Sequence, residues 1–312
     1  MNLKRYSADY LEAWNEFVAS SKNGTFLLNR NFMDYHSDRF TDTSLLFFEH
    51  NKLVAILPAN FDEKSRTVYS HQGLTYGGLI MSYKLKAVGV MEIFELMCRY
   101  MRKELKAERI IYKPIPYIYN TYASEEDLYA LYRHEAKLIS RGLSTCIDLP
   151  ARIPFSELRK RGLRKAEDVV VRKTDDVKTF WAILYNVLTV HHGVKPVHTA
   201  GEMTLLMSRF PDNISLYGAF DTRGTMLAGT YVFDCGSVIH TQYLAATDEG
   251  KQCGALDKII AHLIQNEYPG RKFLDFGIST EQNGHILNEG LIFQKEGFGG
   301  RGICYDQWEI KL

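Results

Sequence analysis

Both halves of this chain run through one order of local patterns: helix, helix, paired strands, a further strand, a long helix and a closing strand. In the first half, Ser7 is placed to cap a helix whose apolar residues Tyr10, Leu11, Trp14, Phe17 and Val18 recur at helical spacing. Asn23-Gly24 ends it. A second helical pattern covers residues 32–40 and carries Tyr35 and His36. Strands follow over 44–49 and 52–59 around a His50-Asn51 turn, and another over 67–70. The turn His71-Gln72-Gly73-Leu74-Thr75-Tyr76-Gly77-Gly78 leads on to an amphipathic helix over 87–106, with Val90, Phe94, Met97, Cys98 and Met101 on one face. A short strand at 109–112 is stopped by Pro114 and Pro116.

The second half repeats the order. Asp175 or Asp176 caps a helix reaching Val190, and Thr199 opens another that ends near Phe210-Pro211. Strands at 214–220 and 226–233 flank a turn with Arg223-Gly224, and a third covers 238–245. A helix over 255–268 and a strand over 272–276 complete the set. The pattern implies a tandem duplication of one α/β (α+β) unit, with domains 1–150 and 151–312. Pro150 and Pro154 mark the boundary, and the most basic stretch of the chain follows it: Arg159, Lys160, Arg161, Arg164, Lys165, Arg172 and Lys173.

A chain of 312 residues with 46% hydrophobic residues supplies cores for two domains and argues against disorder. The 38 Lys+Arg against 37 Asp+Glu give a net charge of +1, so nothing pulls the whole molecule toward nucleic acid or a membrane. Any RNA contact is local. Cys98, Cys146, Cys235, Cys253 and Cys304 are dispersed and odd in number, which fits neither a zinc site nor a disulfide framework. His191-His192 and His198 follow no ligand framework, so no metal is expected. No apolar run follows Met1-Asn2-Leu3-Lys4-Arg5-Tyr6, and none elsewhere is long enough to span a bilayer. The expected compartment is the cytoplasm.

The stretch Phe273-Leu274-Asp275-Phe276-Gly277 reads as a strand ending in a carboxylate. Beyond a loop and a helix comes Phe293-Gln294-Lys295-Glu296-Gly297-Phe298-Gly299-Gly300, a lysine beside a glycine-rich turn. A lysine next to exposed backbone N–H groups suits a developing negative charge, which points to group transfer. A solvated lysine at a helix end is the plainer reading of the same residues.

The element order resembles the GNAT acyltransferase fold, and its tandem form resembles the FemABX aminoacyltransferases over nearly the whole chain. The residues that carry the resemblance are Leu274-Asp275-Phe276-Gly277, the Lys295 to Gly299 segment, Tyr76-Gly77-Gly78, and the basic helix with Arg161, Arg164, Lys165 and Ala166. Gln294 stands where the family usually has phenylalanine, His36 where members can have a phosphate-contacting lysine, and no helical-hairpin arm for tRNA is visible. The resemblance implies two tandem GNAT-like domains, each a mixed, mainly antiparallel sheet flanked by helices. The first is the acceptor side and the second the donor and catalytic side, with the strand at 303–310 returning to the first.

It further implies transfer of an acyl or aminoacyl group onto an amine of a small-molecule, nucleotide-linked or cell-envelope precursor. The donor would be acyl-coenzyme A (such as acetyl-coenzyme A) or aminoacyl-tRNA, which makes tRNA a candidate partner. Lys295, Tyr243 and Asp275 are the candidate catalytic residues. Glu281 and Asn283 are alternatives to Asp275, and a core tyrosine with a satisfied hydroxyl is the plainer reading of Tyr243. The GNAT phosphate loop corresponds to Gly250-Lys251-Gln252-Cys253-Gly254-Ala255-Leu256, with Lys251, Gln252, Gly254 and Ala255 toward the donor and Leu256 in a place that wants a small residue. On the acceptor side stand His36, Arg39, His71, Tyr76, Gly77 and Gly78. A catalytically degenerate GNAT pair that binds a ligand or partner is the alternative class, favoured by the altered loop.

Overall fold

The computed structural model describes residues 1–312, except the side chains of His191 and His192. The chain divides into two compact units. The first comprises Met1–Gly142, Thr280–Ile286 and Cys304–Leu312, and the second Leu143–Ser279 and Leu287–Ile303.

In the first unit, β1 (Asn2–Arg5), β2 (Leu45–Glu49), β3 (Lys52–Leu57) and a short strand at Ile80–Met81 make an antiparallel sheet in that order. Strand β4 (Thr67–Tyr69) pairs in parallel with β5 (Arg109–Tyr112), Thr67 opposite Arg109. Parallel neighbours need a long crossover. Helix α1 (Ala87–Lys103) supplies it. Val90, Ile93, Phe94, Met97 and Met101 recur at three- and four-residue steps on that helix, and all are fully buried. They pack on Leu45, Phe47, Ala55, Val68 and Ile110. Each such side chain contributes roughly 1.5–3 kcal/mol by leaving water. The helix stops three residues before the expected end, and Lys106 then adopts a left-handed φ of 54°. On the other side of β5, Trp308 to Lys311 of the chain's last strand (Arg301–Lys311) pair antiparallel with Tyr112 to Arg109.

The expected helix at 32–40 takes another form. One α-helical turn, Arg30–Met33, gives way to a 3₁₀ segment, Asp34–Arg39, that is non-helical at His36 (φ −127°, ψ 30°). Asn29 caps the start by accepting from the Asn31 N–H.

The second unit repeats the plan. Its sheet runs β7 (Val170–Lys173), β8 (Ile214–Phe220), β9 (Met226–Asp234), β10 (Val238–Ala246), β11 (Phe273–Ile278) and then residues 144–148 of β6 (Lys137–Asp148). All neighbours are antiparallel except β10 and β11. Helices α2 (Val177–His192) and α3 (Ala200–Arg209) precede β8. Asp176 caps α2 by accepting from the Thr179 N–H. Thr199 and Glu202 form a reciprocal capping box at α3. The helix expected over 255–268 is present in the crossover from β10 to β11, with a short extra helix before it and a π turn at its end. Asp248–Cys253 is one short helix, Gly254 is left-handed at φ 76°, Ala255–His262 is a second helix, and Leu263–Glu267 widens into a π turn. One apolar layer of this crossover, with Ile259, Ile260 and Leu263, lies on Val232, Ile239 and Leu274. Sequence patterns did not signal β6, whose inner residues alternate weakly.

Candidate functional site

Parallel pairing of β10 and β11 lasts three residues: Val238 with Phe273, Ile239 with Leu274, and His240 with Asp275. Beyond that point β10 pairs only with β9, and β11 only with residues of β6. The two strands therefore part just after His240 and Asp275. In the same region β10 bulges: Tyr243 faces Tyr231, but Thr241 already faces Val232, so Gln242 is the extra residue. The bulge has a geometric consequence. Tyr231 and Phe233 lie two apart on β9 and share a face, and their partners are Tyr243 and His240. Tyr243 and His240 thus project on one face of the sheet, on either side of the bulge.

Asp275 is fully buried and accepts two hydrogen bonds, one from the Ser144 hydroxyl at 2.5 Å and one on Oδ2 from His240 Nδ1 at 2.8 Å. The carboxylate also raises the Cys146 thiol, which burial has already pushed well above its usual range. Gly277 lies against the His240 ring. A methyl group added there would stand 3.4 Å from Cε1 and 4.0 Å from Nε2, on a backbone with φ of 76° that favours glycine.

Tyr243 is the centre of a second cluster. Its hydroxyl lies 2.7 Å from His198 Nδ1 and accepts from the His198 backbone N–H at 3.3 Å. The Trp181 ring meets it edge-on, with centroids 5.5 Å apart. Burial raises the Tyr243 pKa, with the His198 backbone N–H acting the other way. Trp181 also borders a surface cleft of about 600 Å³ lined by Tyr185, Ala200, Gly201 and Thr204.

Lys295, on helix α4 (Glu289–Glu296), is 6% exposed and points inward. Its ammonium donates to Gly277 O at 2.8 Å, Ile278 O at 3.1 Å and Ser279 Oγ at 2.8 Å. All three donors are thus engaged by the end of β11 and the residue after it. Burial lowers its pKa to about 8, and the Asp275 carboxylate pulls the other way.

The residues expected at a donor phosphate do not gather around an open helix start. Thr247 caps the short helix by accepting from the Gly250 N–H at 3.0 Å. Lys251 reaches Asp248 at 2.9 Å, and Asp248 and Glu249 place negative charge in the first turn. Gln252 is exposed, and Ala255 is fully buried in the core. Gly254 abuts the basic helix Glu157–Lys165, where an added methyl would stand 2.4 Å from Gly162 O.

In the first unit the acceptor candidates form a packed aromatic group. His36 is buried, stacked on Tyr35 at 4.2 Å and edge-on to Phe40, with the His71 ring 5.5 Å away. Arg39 is exposed, so the two are not presented together; the 3₁₀ turn is the cause. His71 is left-handed at φ 64°, and burial, helped by His36 and Lys113, lowers its pKa to about 3. Tyr76 is buried, with its hydroxyl 3.0 Å from Thr25 Oγ1. Gly77 and Gly78 have no room for a Cβ, which would stand 2.2 Å from Ser70 O and 2.9 Å from the Tyr112 hydroxyl.

Ser144, His240 and Trp181 were not singled out from the sequence. His240 stands three residues before Tyr243, but only the strand register reveals that it meets Asp275. The metal reading of His191 and His192 lies outside the described residues. Among the described residues no three His, Cys, Asp or Glu side chains gather as a metal-holding group, and no helix is long and apolar enough to cross a membrane.

No family model and no curated protein matches the sequence. Solved structures do match the fold. FemX is similar with a TM-score of 0.71 at 12% identity, covering 100% of this chain and 98% of that one. L-PGS from Bacillus licheniformis gives 0.60 at 12% identity, covering 99% and 93%. A tandem GNAT protein from the clavulanic acid biosynthesis pathway gives 0.52 at 11% identity, covering 99% and 98%. The chain therefore has the tandem GNAT-like fold of FemX.

Proposed function

We propose that this protein transfers an acyl or aminoacyl group onto an amine, and that the second unit carries the reaction. The observation that supports this reading most is the parting of β10 and β11 after His240 and Asp275, beside the bulge at Gln242. A gap between strands admits an extended acyl donor to the sheet's own backbone N–H groups, which can face a developing oxyanion. Titratable side chains stand on the same face, where the amine must lose a proton.

Within this reading Lys295 is a positioning residue. Its charge holds residues 277–279 in place, and so shapes the rim of the gap. Tyr243, supported by His198 and by Trp181, which borders the cleft, orients the acceptor or the leaving group. The donor is an aminoacyl ester on tRNA in preference to acyl-coenzyme A. Thr247 already takes the Gly250 N–H of the expected loop, and Asp248 and Glu249 stand beside it, which disfavours a pyrophosphate there. Arg161, Arg164 and Lys165 are exposed on the basic helix and suit an RNA backbone. The acceptor is a small or nucleotide-linked amine.

Thermal denaturation with acetyl-coenzyme A, alanyl-tRNA and a nucleotide-linked amino sugar tests the proposal. A ligand at 100 times its Kd adds about 2.7 kcal/mol to the stability. Stabilisation by alanyl-tRNA that fades steeply with salt, together with label transfer to an amine, supports the reading. Ligand stabilisation with no transfer from either donor would instead make the protein a binding module of the same fold.

A further inference from the structure

We infer that His240 is the general base of this site and that Asp275, anchored by Ser144, positions it. The inference rests on the transferase reading given above.

A buried carboxylate must satisfy its lone pairs, and the partners of Asp275 include one hydroxyl and one imidazole N–H. The Ser144 bond leaves Oδ2 directed at His240, which fixes the proton of the neutral imidazole on Nδ1. Nε2 then carries the lone pair. The ring edge bearing Cε1 and Nε2 lies against Gly277, a residue without a side chain, at the point where the strands part. A base is needed here because an amine attacks only when neutral and sheds one further proton as the amide forms. Lys295 is poorly suited to that task, since its three donors already hold residues 277–279.

The amine nitrogen forms a C–N bond to the acyl carbon. The bond from that carbon to the donor oxygen or sulfur breaks, and its electron pair stays on the donor atom. The amine proton passes to His240 Nε2, and the imidazolium returns it to the departing atom. The Asp275 carboxylate, hydrogen-bonded to Nδ1, holds the ring in place through the step.

The test uses the full chain and three variants. His240→Asn keeps an N–H near the Nδ1 position for Asp275 but removes the base, and Asp275→Asn and Ser144→Ala probe the support. Nitrogen-15 NMR of histidine-labelled protein is expected to show His240 with Nδ1 protonated and Nε2 bare. Transfer from alanyl-tRNA or acetyl-coenzyme A to glycinamide is expected to fall at least 100-fold in kcat for His240→Asn, with KM little changed and the acid limb of the pH–rate profile lost. Asp275→Asn should disturb the tautomer signal as well as the rate. An Nε2-protonated ring, or a His240→Asn variant within threefold of the parent, overturns the assignment and leaves the transferase reading standing. Failure of the parent protein to transfer from either donor overturns both.

Discussion

Lys295 Nζ stands 2.8 Å from Ser279 Oγ and 2.8 Å from Gly277 O, so one buried ammonium joins helix α4 to the end of β11 and the residue after it. Replacing it tests whether the charge serves the fold. Lys295→Met keeps most of the volume but strands two carbonyls and a hydroxyl. Loss of a buried group's charged partner costs about 3 kcal/mol. Thermal melts should show the second unit's transition lowered by roughly 5–10 °C. An unchanged melt would show that the ammonium is replaceable by water.

The same lysine gives the fold a pH dependence. An unfolded lysine holds its proton up to about 10.4. In the folded chain burial lowers that value to about 8. Between those values the unfolded state binds more protons, so stability rises with pH across the window. The contribution amounts to roughly 3 kcal/mol at most. Chemical denaturation from pH 7.5 to 10.5 should reveal the rise in the parent and its absence in Lys295→Met.

Gly254 separates a donor-site role from a structural one. A methyl group there would press on Gly162 O at 2.4 Å while the backbone is left-handed. Gly254→Ala should destabilise the protein by about 3 kcal/mol without any ligand present. A variant of parental stability that has lost donor binding would restore the phosphate-loop reading.

Much of the fold was legible because it rests on local periodicity. The caps at Asp176 and Thr199, the hairpin at Arg223-Gly224 and the buried stripe of α1 all follow from near neighbours in sequence. The site was legible only in part. Asp275 stood out at a strand end, but its partners Ser144 and His240 lie 131 and 35 residues away and meet it through strand register. Register across a parallel pair leaves no local trace. His36 and Arg39 differ for another reason: helical spacing puts them on one face, but a 3₁₀ turn buries one and exposes the other. Gly254 fits a phosphate loop by type, yet its small size is needed by a neighbouring helix.

Asp127 should give the first unit an opposite pH signature. Its carboxyl is buried, accepts from the Tyr112 hydroxyl at 2.7 Å, and has its pKa raised by burial to about 6. The folded state therefore holds this proton more firmly than the unfolded one. Stability from this group is full below about pH 4 and is lost as pH rises through 6. Tyr112→Phe removes the donor to Asp127 and the acceptor of the Leu79 N–H, and should cost about 2 kcal/mol. Asp127→Asn should remove the pH dependence between 4 and 6 in denaturation experiments.

Tyr243 offers the sharpest separation of site from scaffold. Its hydroxyl meets His198, while its ring packs on Trp181 and faces Tyr231 across the strands. Tyr243→Phe leaves the ring contacts and removes only the hydroxyl. The partner lies at the partly exposed edge, so the stability loss should be small, about 1 kcal/mol. A hydroxyl that orients a reacting group is worth far more in rate, about 10²-fold when it transfers or holds a proton. The expected result is a nearly unchanged melt with kcat down by that factor. A Tyr243→Phe protein that melts normally and turns over at the parental rate would place the hydroxyl outside the reaction and confine the chemistry to the His240 side of the bulge.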